Sequence, residues 1–212
     1  MATLPFDIGI GTLGEGTAIL MSRDEELPAS LTRLCSATEA RQKVAVARVF
    51  AGGRALQQDN ILLCTLRLPL GAPVPLGLQL AKLELVIGGD GKGMATLIDL
   101  VDSRSISSTF DLQSEDLRKA VEAKWLGVSE VEEAARRDLV DVRATALAAA
   151  AWIEMTIPTL ENLDIQVQKL LLSQLESAKH RLGLATKPAE AESAAGDVFD
   201  IQEIVFAGLP PC

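Results

Sequence analysis

Gly9-Ile10-Gly11-Thr12-Leu13-Gly14 has the spacing G-x-G-x-x-G. In a dinucleotide site those glycines turn a strand into a helix whose N-terminus holds a pyrophosphate. That chemistry needs a helix after the third glycine. Here Glu15-Gly16 follows, then the strand-like Thr17-Ala18-Ile19-Leu20-Met21, so the spacing predicts a turn between two strands. Residues 88–93 are glycine-rich around Lys92 but lack the phosphate-loop spacing and the Ser or Thr after the lysine, which predicts a hairpin turn. His180 is the only histidine and has no acid or cysteine spaced to make it a metal ligand or a relay. Near the end of a predicted helix it complements the helix dipole. Cys35, Cys64 and Cys212 are odd in number and widely spaced, as expected of reduced thiols in a cytoplasmic protein and not of a disulfide framework or a metal set. No nucleophile is spaced with a base. The sequence therefore predicts a protein that is not an enzyme, with no catalytic residues, no metal and no cofactor.

The elements that must position any binding residues follow from periodicity. Aromatic residues make up 3% of the chain and tyrosine is absent, so the core must be built from Leu, Val, Ile and Ala. Alternation and β-branched residues predict strands at 8–13, 17–23, 31–37, 43–50, 61–68, 81–87, 94–100 and 105–110. Eight short strands with regular turns predict an antiparallel β-sandwich. Pro69, Pro73 and Pro75 should sit in a connection, because proline cannot donate to a ladder.

After residue 112 the period changes to that of a helix. Ser114 can cap a short helix with the stripe Leu117, Val121 and Trp125, ended by Gly127. Ser129-Glu130-Val131-Glu132 is a capping box opening a helix to about residue 157, with Val131, Ala135, Leu139, Val142, Ala146, Ala149 and Ile153 inward. A third helix over 159–183 should turn Leu163, Val167, Leu170, Leu171, Leu175, Ala178 and Leu182 inward, folding back as a hairpin or pairing with another chain. Residues 184–197, rich in Ala, Glu, Lys, Pro and Ser, read as a linker. Residues 198–206 alternate and then turn apolar. They are expected to be sequestered as an added strand or in a neighbouring copy's groove, with a disordered terminus as the alternative. The domain division is thus 1–112 sandwich, 113–185 helical lid and hairpin, and 186–212 linker and apolar tail, an α+β chain overall.

Charge narrows the partners. The net charge is −9; residues 1–112 hold 12 acids and 10 bases, residues 113–212 hold 17 and 10. The sequence lacks the strong basic excess expected of a nucleic-acid-binding chain. No apolar run reaches the roughly 18 residues of a membrane span, and no leader pattern opens the chain, so the sequence predicts neither membrane nor nucleic acid as partner.

The opening Ala2-Thr3-Leu4-Pro5-Phe6-Asp7-Ile8-Gly9-Ile10-Gly11-Thr12 resembles a motif of the 70-kDa heat-shock chaperones, the DnaK-type proteins. That motif, Asp-Val-Thr-Pro-Leu-Ser-Leu-Gly-Ile-Glu-Thr, follows the family's interdomain linker. Leu27-Pro28, Gly52-Gly53-Arg54 with Asp59-Asn60, and Pro73-Val74-Pro75-Leu76-Gly77 keep the same register, without a gap to about Gly91. The resemblance implies a peptide-binding sandwich with a helical lid, without the ATPase half. A fragment of a longer chaperone would look the same. It also implies a groove for hydrophobic peptide segments of client proteins, lined by Ile10, Thr12, Leu13, Cys35, Ser36, Thr38, Gln42, Ala45, Ala47 and Ala81, with Leu13 and Thr38 arching over the peptide. The competing reading of Leu13, Cys35 and Ala47 is that they fill a core.

Departures from the family bear on function. Cys35, Ala45, Ala47 and Ala81 stand where it carries larger apolar residues, so the pocket is either wider, favouring a Phe or Trp anchor, or collapsed. Leu76 and Ala40 replace the charged residues of the family's lid latch. Two functions remain open: a chaperone substrate-binding module, or a divergent adaptor that holds one dedicated partner through the same fold. Self-association could run through residues 198–206 or the third helix.

Overall fold

The computed structural model describes residues 2–39, 41–161 and 163–209, and divides into two compact units, the first ending at Glu133 and the second starting at Ala134. The first unit opens with eight strands: β1 (Ile8–Gly11), β2 (Thr17–Met21), β3 (Ala29–Ser36), β4 (Gln42–Ala51), β5 (Ile61–Val74), β6 (Gln79–Ile87), β7 (Lys92–Asp99) and β8 (Ser105–Asp111). They form two four-stranded antiparallel sheets of order β2-β1-β4-β5 and β3-β6-β7-β8. The period-two pattern sets what faces inward. On β4, Ala45, Ala47 and Val49 are buried, while Val46 and Arg48 face out. On β6, Leu83, Leu85 and Ile87 are buried, while Lys82 and Glu84 pair at 2.6 Å on the opposite face. Ile8, Met21, Leu66 and Leu68 of one sheet join Leu83, Leu85, Ala95 and Leu97 of the other in a single aliphatic core. The expected α+β class with an eight-stranded sandwich is what the chain forms.

β5 departs from expectation. It runs through Pro69 and Pro73, residues whose missing N–H predicts a connection. The strand lies at the edge of its sheet, and its register with β4 shifts where Val44 meets Pro69. An edge strand tolerates residues that cannot donate to a second neighbour. Gly93 is fixed by its cross-strand partner: Phe110 lies over it, and a Cβ there would run into the ring. Residues 9–11 end β1, Leu13–Glu15 form a 3-10 turn and β2 follows from Thr17, so the helix that a dinucleotide loop requires does not follow.

Two helices begin in this unit. In α1 (Glu115–Trp125) the Ser114 hydroxyl accepts from Leu117 N at 3.4 Å, and Gly127 takes a φ of 76° just past its end. α2 (Glu130–Thr156) opens with the predicted capping box: Ser129 Oγ accepts from Glu132 N, and Glu132 Oε2 accepts from Ser129 N, both at 3.2 Å. The stripe predicted for α2 is buried at Leu139, Ala146 and Ile153, but Val131 is 80% exposed.

The second unit is helical: the rest of α2, α3 (Ile165–Leu184) and α4 (Pro188–Gly208). Ala150, Ile153 and Ile157 pack with Leu171, Leu175 and Ala178 of α3 and Val198, Ile201 and Val205 of α4. A second cluster is built mostly of alanine, with Ala146, Ala191, Ala194 and Ala195 around Leu139 and Leu182. Such small side chains let helix backbones approach closely. Trp152 stacks on Phe206 with centroids 4.6 Å apart. Arg143 Nε donates to the Leu182 carbonyl at 3.1 Å, satisfying the C-terminal end of α3. None of the helices described is long and apolar enough to cross a membrane.

Here the expectations from sequence need correction. The third helix starts at Ile165, capped by Asp164, whose carboxylate accepts from Gln166 N at 2.7 Å; residues 157–159 form a 3-10 turn around Pro158. Val167 and Leu170, expected inward, are 42% and 58% exposed. The described part of the segment 186–212, up to residue 209, is not a linker with an extended tail. Pro188 begins α4, and the Glu190 carboxylate accepts from Thr186 N at 2.8 Å and Lys187 N at 3.3 Å. Ala and Glu favour helix, and proline is a good first helical residue. Val198, Ile201 and Val205 fall at helical spacing and are fully or nearly buried, which overturns both the added strand and the disordered terminus for 198–206. Pro210, Pro211 and Cys212 lie outside the described residues, as does Ala40 of the expected lid-latch change.

Candidate functional site

Two loops of the sandwich carry the residues expected to grip a peptide, and polar side chains hold both in place. β1 delivers Ile10, and its sheet partners β2 and β4 leave it half-buried. Thr12 follows with extended backbone, its N–H donating to Gly16 O at 2.8 Å, which closes the β1–β2 loop. Leu13 stands half-buried at the head of a 3-10 turn, Leu13–Glu15. Gln57 braces this loop from below. Its Nε2 donates to Thr12 O at 3.1 Å and Gly16 O at 3.0 Å, and its Oε1 accepts from Arg48 Nη1 at 3.1 Å. Gly11 leaves room for it, since a Cβ there would meet the Gln57 amide at 2.9 Å.

The β3–β4 loop is braced from within. Thr38 N donates to Gln42 Oε1 at 2.8 Å, and Gln42 Nε2 donates to Val44 O at 2.8 Å. Ala37 N donates to Leu78 O and Gly77 N to Ala37 O, tying the loop to the β5–β6 connection. Ser36 and Thr38 are exposed and Gln42 is half-buried. Leu76, the other expected latch change, is half-buried in that connection.

The expected pocket residues lie deeper. Ala45, Ala47 and Ala81 are 0–1% exposed within the sandwich core, and Ile10 and Cys35 pack part-buried against that core. Cys35 is the register partner of Ala81. Burial pushes the Cys35 thiol up, against the charge of Arg33 and a backbone hydrogen bond with Leu83, so the group is a neutral apolar wall at pH 7. Ala45, Ala47 and Ala81 thus belong to the sandwich core, with Ile10 and Cys35 packed part-buried against it, and Thr38 is hydrogen-bonded to Gln42. Ala45, Ala47 and Ala81 are thus closed to solvent in this structure.

A polar node was missed from sequence although its motif was visible. Asn60 Oδ1 accepts from Arg54 N at 3.0 Å, and Nδ2 donates to Arg54 O and Leu56 O, both at 2.8 Å, and to Thr17 Oγ1 at 3.2 Å. One side chain therefore folds the 52–60 loop. Arg54 is 3% exposed, pairs with Glu133 at 2.7 Å and Asp59 at 3.5 Å, and lies over the Trp125 ring at 5.2 Å. Glu133 also accepts from Ala55 N. The motif Gly52-Gly53-Arg54 with Asp59-Asn60 is thus the anchor of α1 and the start of α2. Nothing in the sequence distinguished Glu133 from the other acids of the first turns of α2.

No family model matches the chain. It is 27% identical over 207 residues to the chaperone protein DnaK of Thermosipho africanus (strain TCF52B) and 26% identical over 207 residues to that of Thermosipho melanesiensis, in each case over 84% of this chain. The chain spans 34% of the length of each of these relatives. Fold, landmark motifs and sequence likeness agree: this chain is similar to a divergent substrate-binding region of the DnaK type.

Proposed function

We propose that the β-sandwich unit binds extended hydrophobic segments of client polypeptides, as a chaperone substrate-binding module. The observation that carries this is the pair of braced loops: Gln57 holds the Thr12 carbonyl next to half-buried Leu13, Gln42 holds the Thr38 amide, and Ile10 and Cys35, which precede these loops in the chain, pack part-buried against the sandwich core. Strand-like backbone bonding supplies sequence-tolerant affinity, and a single apolar anchor supplies preference. Ile10, Thr12, Leu13, Cys35, Ser36, Thr38 and Gln42 form the reachable rim; Ala45, Ala47 and Ala81 form a floor that a bulky anchor reaches when Ile10 and Cys35 give way. The helices that follow serve as the lid. The free thiols Cys35 and Cys64 support a cytoplasmic setting.

A second reading is favoured by the closed floor. With the alanines at 0–1% exposure, a promiscuous pocket is reduced, and an adaptor holding one dedicated partner through the same rim fits that geometry. Fluorescence anisotropy of labelled leucine-rich and phenylalanine-rich peptides tests the binding reading on the full chain. Saturable binding weakened by Leu13→Asp is expected, since that residue is half-buried in a turn and its change spares the core. Binding indifferent to Leu13→Asp would contradict it. Pull-down from the source organism separates the two functions: a module captures many weak clients, an adaptor one tight partner.

A further inference from the structure

The outer face of β4 and β5, next to the β3–β4 loop, holds a surface recess of ≈ 600 Å³. Arg41, Lys43, Arg48 and Arg67 line it, with Glu39 as its one acid. Val46 stands between the cations, opposite Arg67 in the β4–β5 register. On a chain of net charge −9 this is a local reversal of sign. Among the described residues, Arg41, Lys43 and Arg67 have no ion-pair partner, and Arg48 engages the neutral Gln57. Four like charges around one recess repel, and a partner that supplies carboxylates relieves that repulsion.

Two further observations connect the recess to the rim. Thr38 and Gln42 belong to both, so the two surfaces are continuous. Arg41 has φ 55°, a left-handed conformation that glycine would take more readily, so the loop holds an arginine there at a conformational cost. Arg48 reaches the other rim through Gln57, whose amide holds Thr12 O. We propose that this recess reads the flank of the bound segment and selects extended peptides whose apolar core is bordered by acidic residues. The inference rests on the peptide-binding reading and names its substrate class. The apolar wall at Val44 and Val46, and the lack of any aromatic ring in the lining, fit a peptide better than a nucleic acid, which would use rings to stack its bases.

The test uses the full chain and labelled peptides that share one leucine-rich core and differ in flanks: Asp and Glu, Ser and Gln, or Lys and Arg. The acidic-flanked peptide should bind roughly fivefold tighter than the neutral one, as expected of a few exposed ion pairs. High salt should erase the difference. Lys43→Glu with Arg67→Glu should reverse the preference. Arg41→Gly should reduce it while leaving the unfolding midpoint unchanged or higher, which separates lost recognition from lost folding. Core-dependent binding with no flank preference, or a basic preference, overturns the inference and leaves the peptide-binding reading standing. Equal binding of an acidic peptide with a serine core, or equal displacement by single-stranded DNA, also overturns it, because the recess would then be a general anion surface. If none of the peptides binds, both readings fall.

Discussion

The two units are held together by different physics. Every buried polar side chain among the described residues, Thr17, Arg54, Asn60, Asp99 and Glu133, lies in the sandwich unit. The cores of the helical unit are aliphatic and alanine-rich. A sandwich with loops that must present backbone at its surface needs those loops fixed, and buried hydrogen bonds fix direction as hydrophobic contact cannot. A helical bundle needs only its stripes matched. The difference teaches where specificity was built: around the rim of the sandwich and the anchor at Arg54.

The largest effect should come from breaking that anchor. Glu133→Ala removes the nearer carboxylate from buried Arg54, keeping Asp59 at 3.5 Å, and should cost about 4 kcal/mol, the range for stripping one partner from a buried pair. Urea unfolding monitored at Trp125 would read it. A replacement of both partners by apolar residues, Arg54→Met with Glu133→Leu, should cost less than the single change. In the helical unit, Ile201→Ala should cost about 3 kcal/mol, a cavity loss with no polar component. That loss should follow the signal of Trp152 and leave the first unit's transition in place. Deleting 198–212, which on sequence grounds would free a groove, should instead unfold the helical unit, because α4 supplies Val198, Ile201 and Val205 to its core.

A smaller effect separates the units by pH. Asp99 is 1% exposed at the end of β7. Burial alone would raise its pKa, but backbone donors at Val101, Gly71 and Asp102 and the charge of Arg104 outweigh it and hold the carboxyl below its ordinary value. A depressed folded pKa stabilises above the unfolded value of about 3.9 and is lost as pH falls through the folded one. Asp99→Asn should cost about 2 kcal/mol at pH 7, and the gap to the wild type should narrow as acid protonates Asp99. A gap independent of pH between 5 and the acid transition would show that these bonds do not depend on charge.

Legibility from sequence followed the same divide. All eight strands were readable because alternation and glycine turns are local signals, and the landmarks around Thr12 and Arg54 kept a family's register. The course of β5 was not, because whether a strand may carry Pro69 depends on its being an edge, which is a property of the sheet. α4 was misread because Ala, Glu, Lys and Pro suit a linker and a helix start alike. Its stripe at Val198, Ile201 and Val205 also overlaps an apparent alternation. In the site, the rim was named but not its braces: Gln57 reaches Thr12 across 45 positions of sequence and is itself held by Arg48, and no periodicity connects them.

The central claim is that the sandwich rim, and not the helical unit, grips extended peptide. Backbone amide NMR of the full chain, titrated with a neutral-flanked leucine-rich peptide, tests it most directly. The account predicts saturable shifts confined to residues 10–13 and 35–42, with 165–205 unchanged. Shifts confined to 165–205, or none at saturating peptide, would contradict it.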